Sequence, residues 1–145
     1  MHLYGGGNQT AEIEEYIKGG DKNIWYHGYV SKQEMNEELK KHDLSIIPLA
    51  AAIHGAVPSK IFDLLPAGIP ILFSGNGEGA RIVEEGGFGL VSEFGDYSAL
   101  EKNIKAFVDM SSEEYAVYSA NCFNASLDSF SFSKQLGRFV EFLKV

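Results

Sequence analysis

Short apolar runs alternate along this chain with amphipathic segments, with few residues between them, and that alternation restricts the fold more than any other feature. "MHLYG", "NIWYHGYV", "DLSIIPL", "IPILFS" and "FGLVS" have the apolar and β-branched content of strands. Between them lie "QTAEIEEYIKGG", "SKQEMNEELKKH", "VPSKIFDLLPAG" and "GEGARIVEEGG", which space their apolar residues as helices and either end in glycine or gather lysines near their end. Ser31 and Glu34 are spaced as a capping box, as are Ser98 with Glu101 and Ser111 with Glu114. Leu136, Phe139, Val140 and Leu143 recur at i, i+3, i+4 and i+7, which predicts a closing helix. Strand–helix alternation with connections this short predicts a mostly parallel sheet covered by helices on both faces, an α/β three-layer fold in one domain over residues 1–145. "DLSIIPL" is apolar enough to predict a strand buried on both faces.

A chain of this length can bury roughly 70% of its unfolded surface, so a sizeable core is expected. Twenty acidic residues against 12 basic ones give a formal charge of −8, which argues against nucleic acid as a partner because backbone binding needs a basic face. The single cysteine, Cys122, has no partner for an intrachain disulfide and reads as a small buried residue of a helix. No apolar run reaches the ~20 residues that span a bilayer, and no charged-then-apolar leader is visible. The expected location is cytoplasmic, with association of a longer parent protein at a membrane surface left open. The chain begins on a strand and closes on three consecutive helices, so the front of a longer domain is expected upstream of Met1.

In an open parallel sheet, ligands bind where strands end and helices begin. Glycine-bearing loops occupy such positions at Gly5–Gly7, at Gly28, from Ala50 to Pro58, and at Gly75–Gly79. "GGGNQTAEIE" has Thr10 where a dinucleotide fingerprint needs its third glycine, so a tight turn is the simpler reading. The stretch "GAVPSKIFDLLPAGIPILFSG" says more. Pro58 suits a first helical turn, Ser59 can cap or touch an anion, and Lys60 places a cation where the helix dipole disfavours it, which a facing phosphate would explain. Asp63 shares a face with Ser59 and Lys60, and its carboxylate could accept two hydroxyls of a ribose, or pair with Lys60. Four scattered histidines, His2, His27, His42 and His54, offer no metal-ligand spacing, so no metal is expected.

With its "DLSIIPL…VPSKIFDLLPAGIPILFSGNGEGARIVEEGGFGLV", the chain resembles the C-terminal, donor-binding domain of family 4 retaining GT-B glycosyltransferases. It is most similar to the branch that builds bacterial capsule and O-antigen polysaccharides. The resemblance implies a Rossmann-like half of a GT-B fold and a nucleoside diphosphate sugar as substrate, with no cofactor or metal. It implies that His54, Gly55, Ser59, Lys60 and Asp63 lie along the diphosphate, sugar and ribose, with Tyr29 and Val30 beside the base. It further implies a glycan or lipid-linked acceptor held by an N-terminal domain, at the cytoplasmic side of the inner membrane.

The chain departs from the family pattern at three places. Gly55 stands where an acid is usual, Asp63 is one methylene shorter than the usual glutamate, and Pro66 removes the N–H that would bond back to Phe62. An arginine and a lysine that usually grip the diphosphate are expected upstream, so the chain alone should be catalytically silent. Two other readings are a GT-B-like nucleotide-sugar epimerase, which would need catalytic acids and a histidine, and a small non-enzymatic α/β binding module. A response-regulator-like module would need acids at the first strand ends, where this chain has glycines.

Overall fold

The computed structural model describes residues 1–20, 23–51, 55 and 57–144, and they divide into two units, Met1–Glu38 and Leu39–Val145. In the first, β1 (His2–Leu3) pairs in parallel with β2 (Trp25–Tyr26) across helix α1 (Thr10–Gly19). Backbone hydrogen bonds continue the pairing on both sides, from Trp25 N–H to Met1 O (2.9 Å), His27 N–H to Leu3 O (2.9 Å) and Gly5 N–H to Gly28 O (2.7 Å). Helix α2 (Lys32–Leu39) starts at the expected capping box. The Glu34 N–H donates to Ser31 Oγ (3.3 Å) and the Ser31 N–H donates to the Glu34 carboxylate (2.8 Å).

The second unit holds a three-stranded parallel sheet, β3 (Ser45–Pro48), β4 (Ile71–Ser74) and β5 (Gly89–Ser92), in the order β3-β4-β5. Ser45 lies opposite Ile71 and Ile71 opposite Gly89. All four residues of β4 are buried, because it is the central strand with apolar side chains on both faces. The same expectation for "DLSIIPL" is corrected. Within this unit β3 is an edge strand, with Ile47 buried and Pro48 exposed.

Helix α3 (Lys60–Leu64) passes directly into a 3₁₀ turn, Leu65–Ala67, which ends at Gly68 with φ +66°. The switch falls at Pro66, where the missing N–H makes a continued α-helical bond impossible. Helix α4 (Glu78–Glu85) follows β4, and α5 (Tyr97–Val108), α6 (Ser112–Leu127) and α7 (Phe132–Leu143) follow β5. The core gathers Ile47, Ile61, Leu64, Leu65, Ile69, Ile71, Phe73, Val83 and Phe88 around Cys122 of α6. Cys122 makes weak contacts to the carbonyls of Ile69 and Phe88 (3.6 Å each), and burial pushes its thiol up to about 12, so it is an inert packing residue.

The caps separate what spacing shows from what it does not. Helix α5 starts at Asp96, whose carboxylate accepts from the Ala99 N–H (2.9 Å), and not at Ser98 as the Ser98/Glu101 spacing predicted. Asp96 comes first along the chain, and a helix that begins at Tyr97 behind its cap leaves Ser98 inside the first turn. At α6 the expected capping box is present. The Glu114 N–H donates to Ser111 Oγ (3.2 Å), while the Ser111 N–H (3.0 Å) and hydroxyl (2.8 Å) donate to the Glu114 carboxylate.

These bonds from the Ser111 backbone and side chain hold the Glu114 pKa below its ordinary value of 4.5. A carboxylate depressed on folding stabilises the folded chain above that ordinary value and loses the effect as pH falls through the lowered one. Ser111→Ala is expected to cost about 1 kcal/mol at neutral pH. Urea titrations at pH 7 and pH 3 should show the gap between variant and parent narrowing in acid.

Candidate functional site

The strands of the second unit run in parallel, so their C-terminal ends open onto one edge, and the loops leaving that edge carry the exposed polar residues. After β3 the ladder continues one step, with Leu49 N–H donating to Ser74 O (2.9 Å), and after β4 Gly75 N–H donates to Ser92 O (2.9 Å). Gly75 and Gly79 serve packing here. A Cβ on Gly75 would lie 2.9 Å from Leu49 Cδ1, and one on Gly79 would lie 2.8 Å from the Phe73 ring and 3.0 Å from Pro58. The Gly79 contact also seats the first turn of α4 against Pro58, which joins the loop after β3 to the loop after β4. Gly77 at φ +89° has open space around its missing Cβ, so it serves the turn itself.

Pro58 leads into α3, its carbonyl accepting from the Ile61 N–H (3.1 Å). Ser59 caps the helix with its backbone, its carbonyl accepting from Phe62 (3.0 Å) and Asp63 (3.3 Å), while its side chain makes no capping bond. Ile61 and Leu64 turn into the core. Ser59, Lys60 and Asp63 are exposed on the remaining side of the helix, three and four residues apart. Lys60 takes no ion-pair partner among the described residues.

The other cation at this edge, Arg81, is already engaged. Its Nε donates to Glu78 (3.2 Å) and its Nη1 to Glu85 (3.5 Å). The hydrogen bond from Arg81 holds the Glu78 carboxyl below its usual range. A shallow depression of about 410 Å³ beside it is lined by Gly75, Asn76, Gly77, Arg81, Glu84 and Glu93, among others. Asn76 ties this loop to the one after β5, its Oδ1 accepting from the Phe94 N–H (2.9 Å).

Of the other residues the sequence singled out, Gly55 is exposed at φ +74°, with nothing within 4 Å of where a Cβ would sit. His54 lies outside the described residues. Tyr29, 85% exposed, and half-buried Val30 belong to the first unit, in the segment between β2 and α2. In the same unit the glycine triplet is a turn. The Tyr26 hydroxyl donates to Gly5 O (2.7 Å), and the Gly7 N–H is taken by Thr10 Oγ1 (3.0 Å).

Sequence reading passed over a row of rings on this unit. His2 Nδ1 and His27 Nε2 are 2.8 Å apart, with ring centroids at 5.1 Å and planes within 8°, so the two imidazoles meet edge to edge through one N–H···N bond. Trp25 stacks on His2 (4.8 Å) and Tyr4 on His27 (4.5 Å). The available signal was the alternation His-x-Tyr and Trp-x-His in two strands that pair in register.

Residues 1–110 match the family model described as Glycosyl transferases group 1. Among solved structures, Anabaena Alr3699/HepE in complex with UDP-glucose superposes with a TM-score of 0.75 at 19% identity, over 97% of this chain and 40% of that one. WaaG, a glycosyltransferase involved in lipopolysaccharide biosynthesis, superposes at 0.70 with 17% identity, over 88% of this chain and 33% of that one. AviGT4, a glycosyltransferase involved in Avilamycin A biosynthesis, reaches 0.59 at 16% identity over 84% and 37%. This chain thus spans 33% to 40% of the length of these structures. No curated protein matches it. The likeness is one of fold: mixed α/β with parallel sheets, as in GT-B glycosyltransferases.

Proposed function

This chain belongs to the family described as Glycosyl transferases group 1, and from that premise we propose that it is a Rossmann-like donor-binding domain, residues 1–145, of a retaining glycosyltransferase. Its substrate is a nucleoside diphosphate sugar, and the observation that carries this reading is the exposed trio Ser59, Lys60 and Asp63 at the C-terminal edge of a parallel sheet. Lys60 offers the diphosphate a cation that no carboxylate among the described residues has claimed, and Ser59 offers a hydroxyl not consumed by its own helix. Asp63 accepts the ribose hydroxyls. His54 and Gly55 belong beside the sugar, and Tyr29 and Val30 beside the base. The UDP-glucose and UDP complexes of Alr3699/HepE, whose fold this chain shares, support a nucleotide-sugar ligand.

Transfer itself is proposed for the whole GT-B fold, of which this chain matches 33% to 40%, and donor binding for the chain alone. We assign the enzyme to family 4 and to hexosyl transfer onto a glycan or lipid-linked acceptor in bacterial surface polysaccharide synthesis, at the cytoplasmic face of the membrane. The WaaG likeness supports that assignment. Catalysis in this scheme is stabilisation of the leaving diphosphate, with no metal and no protein nucleophile.

Titration of the isotope-labelled chain with UDP, GDP and ADP, followed by amide NMR shifts, tests the donor reading. One nucleotide should bind in the millimolar range and move Ser59, Lys60 and Asp63. Asp63→Ala or Lys60→Ala should each weaken it about tenfold, as loss of a hydrogen bond to a charged group does. Both side chains are exposed, so the folded spectrum should persist in either variant. No shift at these residues with any of the three nucleotides would sink the assignment.

A further inference from the structure

The first unit brings two imidazoles together from segments on either side of α1. His2 and His27 lie 25 residues apart, so spacing along the chain gives no ligand pattern, and strand pairing supplies one. β1 and β2 pair in parallel with His2 opposite Trp25 and Leu3 opposite Tyr26. Successive side chains alternate between faces, which puts His2, Tyr4, Trp25 and His27 on one face of the ladder. There His2 Nδ1 and His27 Nε2 are 2.8 Å apart, and both residues are exposed. Trp25 lies against His2 at 4.8 Å and Tyr4 against His27 at 4.5 Å, so a ring supports each imidazole from outside. The Tyr4 hydroxyl donates to the Glu38 carboxylate (3.1 Å), which extends that outer support.

We propose that His2 and His27 form a two-imidazole site for a late first-row divalent ion, zinc or copper, which clips β1 to β2. Neutral imidazole is the commonest metal ligand in proteins and suits zinc, copper and nickel, whereas magnesium and calcium call for oxygen. Tetrahedral zinc, about 2.0–2.1 Å from each nitrogen, would set the two about 3.3 Å apart. Square-planar copper with bonds of similar length would set them about 2.9 Å apart. The observed 2.8 Å is within about 0.5 Å of both, so exposed side chains reach either geometry by small torsional shifts. The ion replaces the shared N–H···N bond. The donating imidazole moves its proton to its other nitrogen, and a lone pair of each ring then faces the metal. Among the described residues no third histidine, cysteine, aspartate or glutamate completes a cluster, so water fills the remaining positions. The ion reinforces a pairing of strands only two residues long. The inference is independent of donor binding, and its test involves no nucleotide.

The test is calorimetric titration of the full chain with zinc, copper and magnesium ions, together with NMR of the imidazole nitrogens. Zinc and copper should each bind one to one, copper the tighter as the general order of divalent affinities requires, and magnesium not at all. Zinc should shift the ring resonances of His2 and His27 together. His2→Ala and His27→Ala should each weaken binding by at least the loss that outer-shell partners cause, about 10- to 100-fold, while His42→Ala leaves it unchanged. Both side chains are exposed, so the folded spectrum should persist in either variant. At about 100 times its dissociation constant, zinc should slow hydrogen exchange at the Gly5, Trp25 and His27 amides about 100-fold, because the ion binds only the paired strands. Three results would overturn the proposal. They are no binding of zinc or copper, binding that survives either single substitution, or bound zinc that leaves exchange at those amides unchanged.

Discussion

Gly89→Ala is expected to cost about 3 kcal/mol or more, the upper end of overpacking penalties, and to leave the second unit largely unfolded at moderate urea. A Cβ at Gly89 would sit 1.8 Å from Ile71 O and 2.6 Å from its carbonyl carbon, inside the backbone of the neighbouring strand. The clash cannot be relieved by a rotamer change. Gly86 shows the contrast, because the three atoms nearest a Cβ there all belong to the Phe88 ring, at 2.3 to 2.8 Å, and so to a side chain and not to backbone. Relief at Gly89 would instead have to part β4 from β5, which exchange Ile71 N–H to Phe88 O (2.9 Å) at this position. A shift of the urea midpoint by less than 1 kcal/mol equivalent would show that the strand spacing yields more easily than the geometry implies.

Phe73→Ala should be comparably damaging, at about 3–5 kcal/mol, the usual loss for a buried phenylalanine that leaves a cavity. Phe73 is 0% exposed on the central strand and touches the first turn of α4 at Gly79, so removing its ring hollows the space between sheet and helix. Against the 5–15 kcal/mol that holds most domains together, that loss is a large share. Phe142→Ala serves as the internal comparison, because that ring is 74% exposed and its removal should fall within about 0.5 kcal/mol of the parent. Chemical denaturation monitored by circular dichroism reads both, and equal effects at the two positions would contradict the placement of the core.

Much of this architecture is legible in the residues. The alternation of apolar runs and capped segments announces an α/β fold with parallel strands, because each element's face must be covered by the next one in sequence. Local hydrogen bonding is equally readable where it is truly local. The capping boxes at Ser31 and Ser111 are present as spaced, since both partners sit within one turn. Pro66 ends α3 in a 3₁₀ turn for a reason contained in its own ring. Asp96 took the cap expected of Ser98 because two local acceptors competed and spacing alone did not rank them.

The candidate site was legible only in its types of residue. That Ser59, Lys60 and Asp63 share the exposed side of α3 follows from helical period once the helix exists, and the period is a local property of the chain. Which cation stays unclaimed was decided by folding. Arg81 is drawn between Glu78 and Glu85 along one helix face, while Lys60 takes no carboxylate partner among the described residues. Burial was decided in the same way. "DLSIIPL" and "IPILFS" look alike as apolar runs, yet β4 is buried throughout and β3 only at Ile47, because position in the sheet sets how many neighbours a strand has. The sequence by itself determined the elements, their order and their local caps, all of which depend on neighbours a few residues away. Only the tertiary structure decided which glycines face packed neighbours, which strand is central and which histidines meet, because each depends on residues brought together from far along the chain.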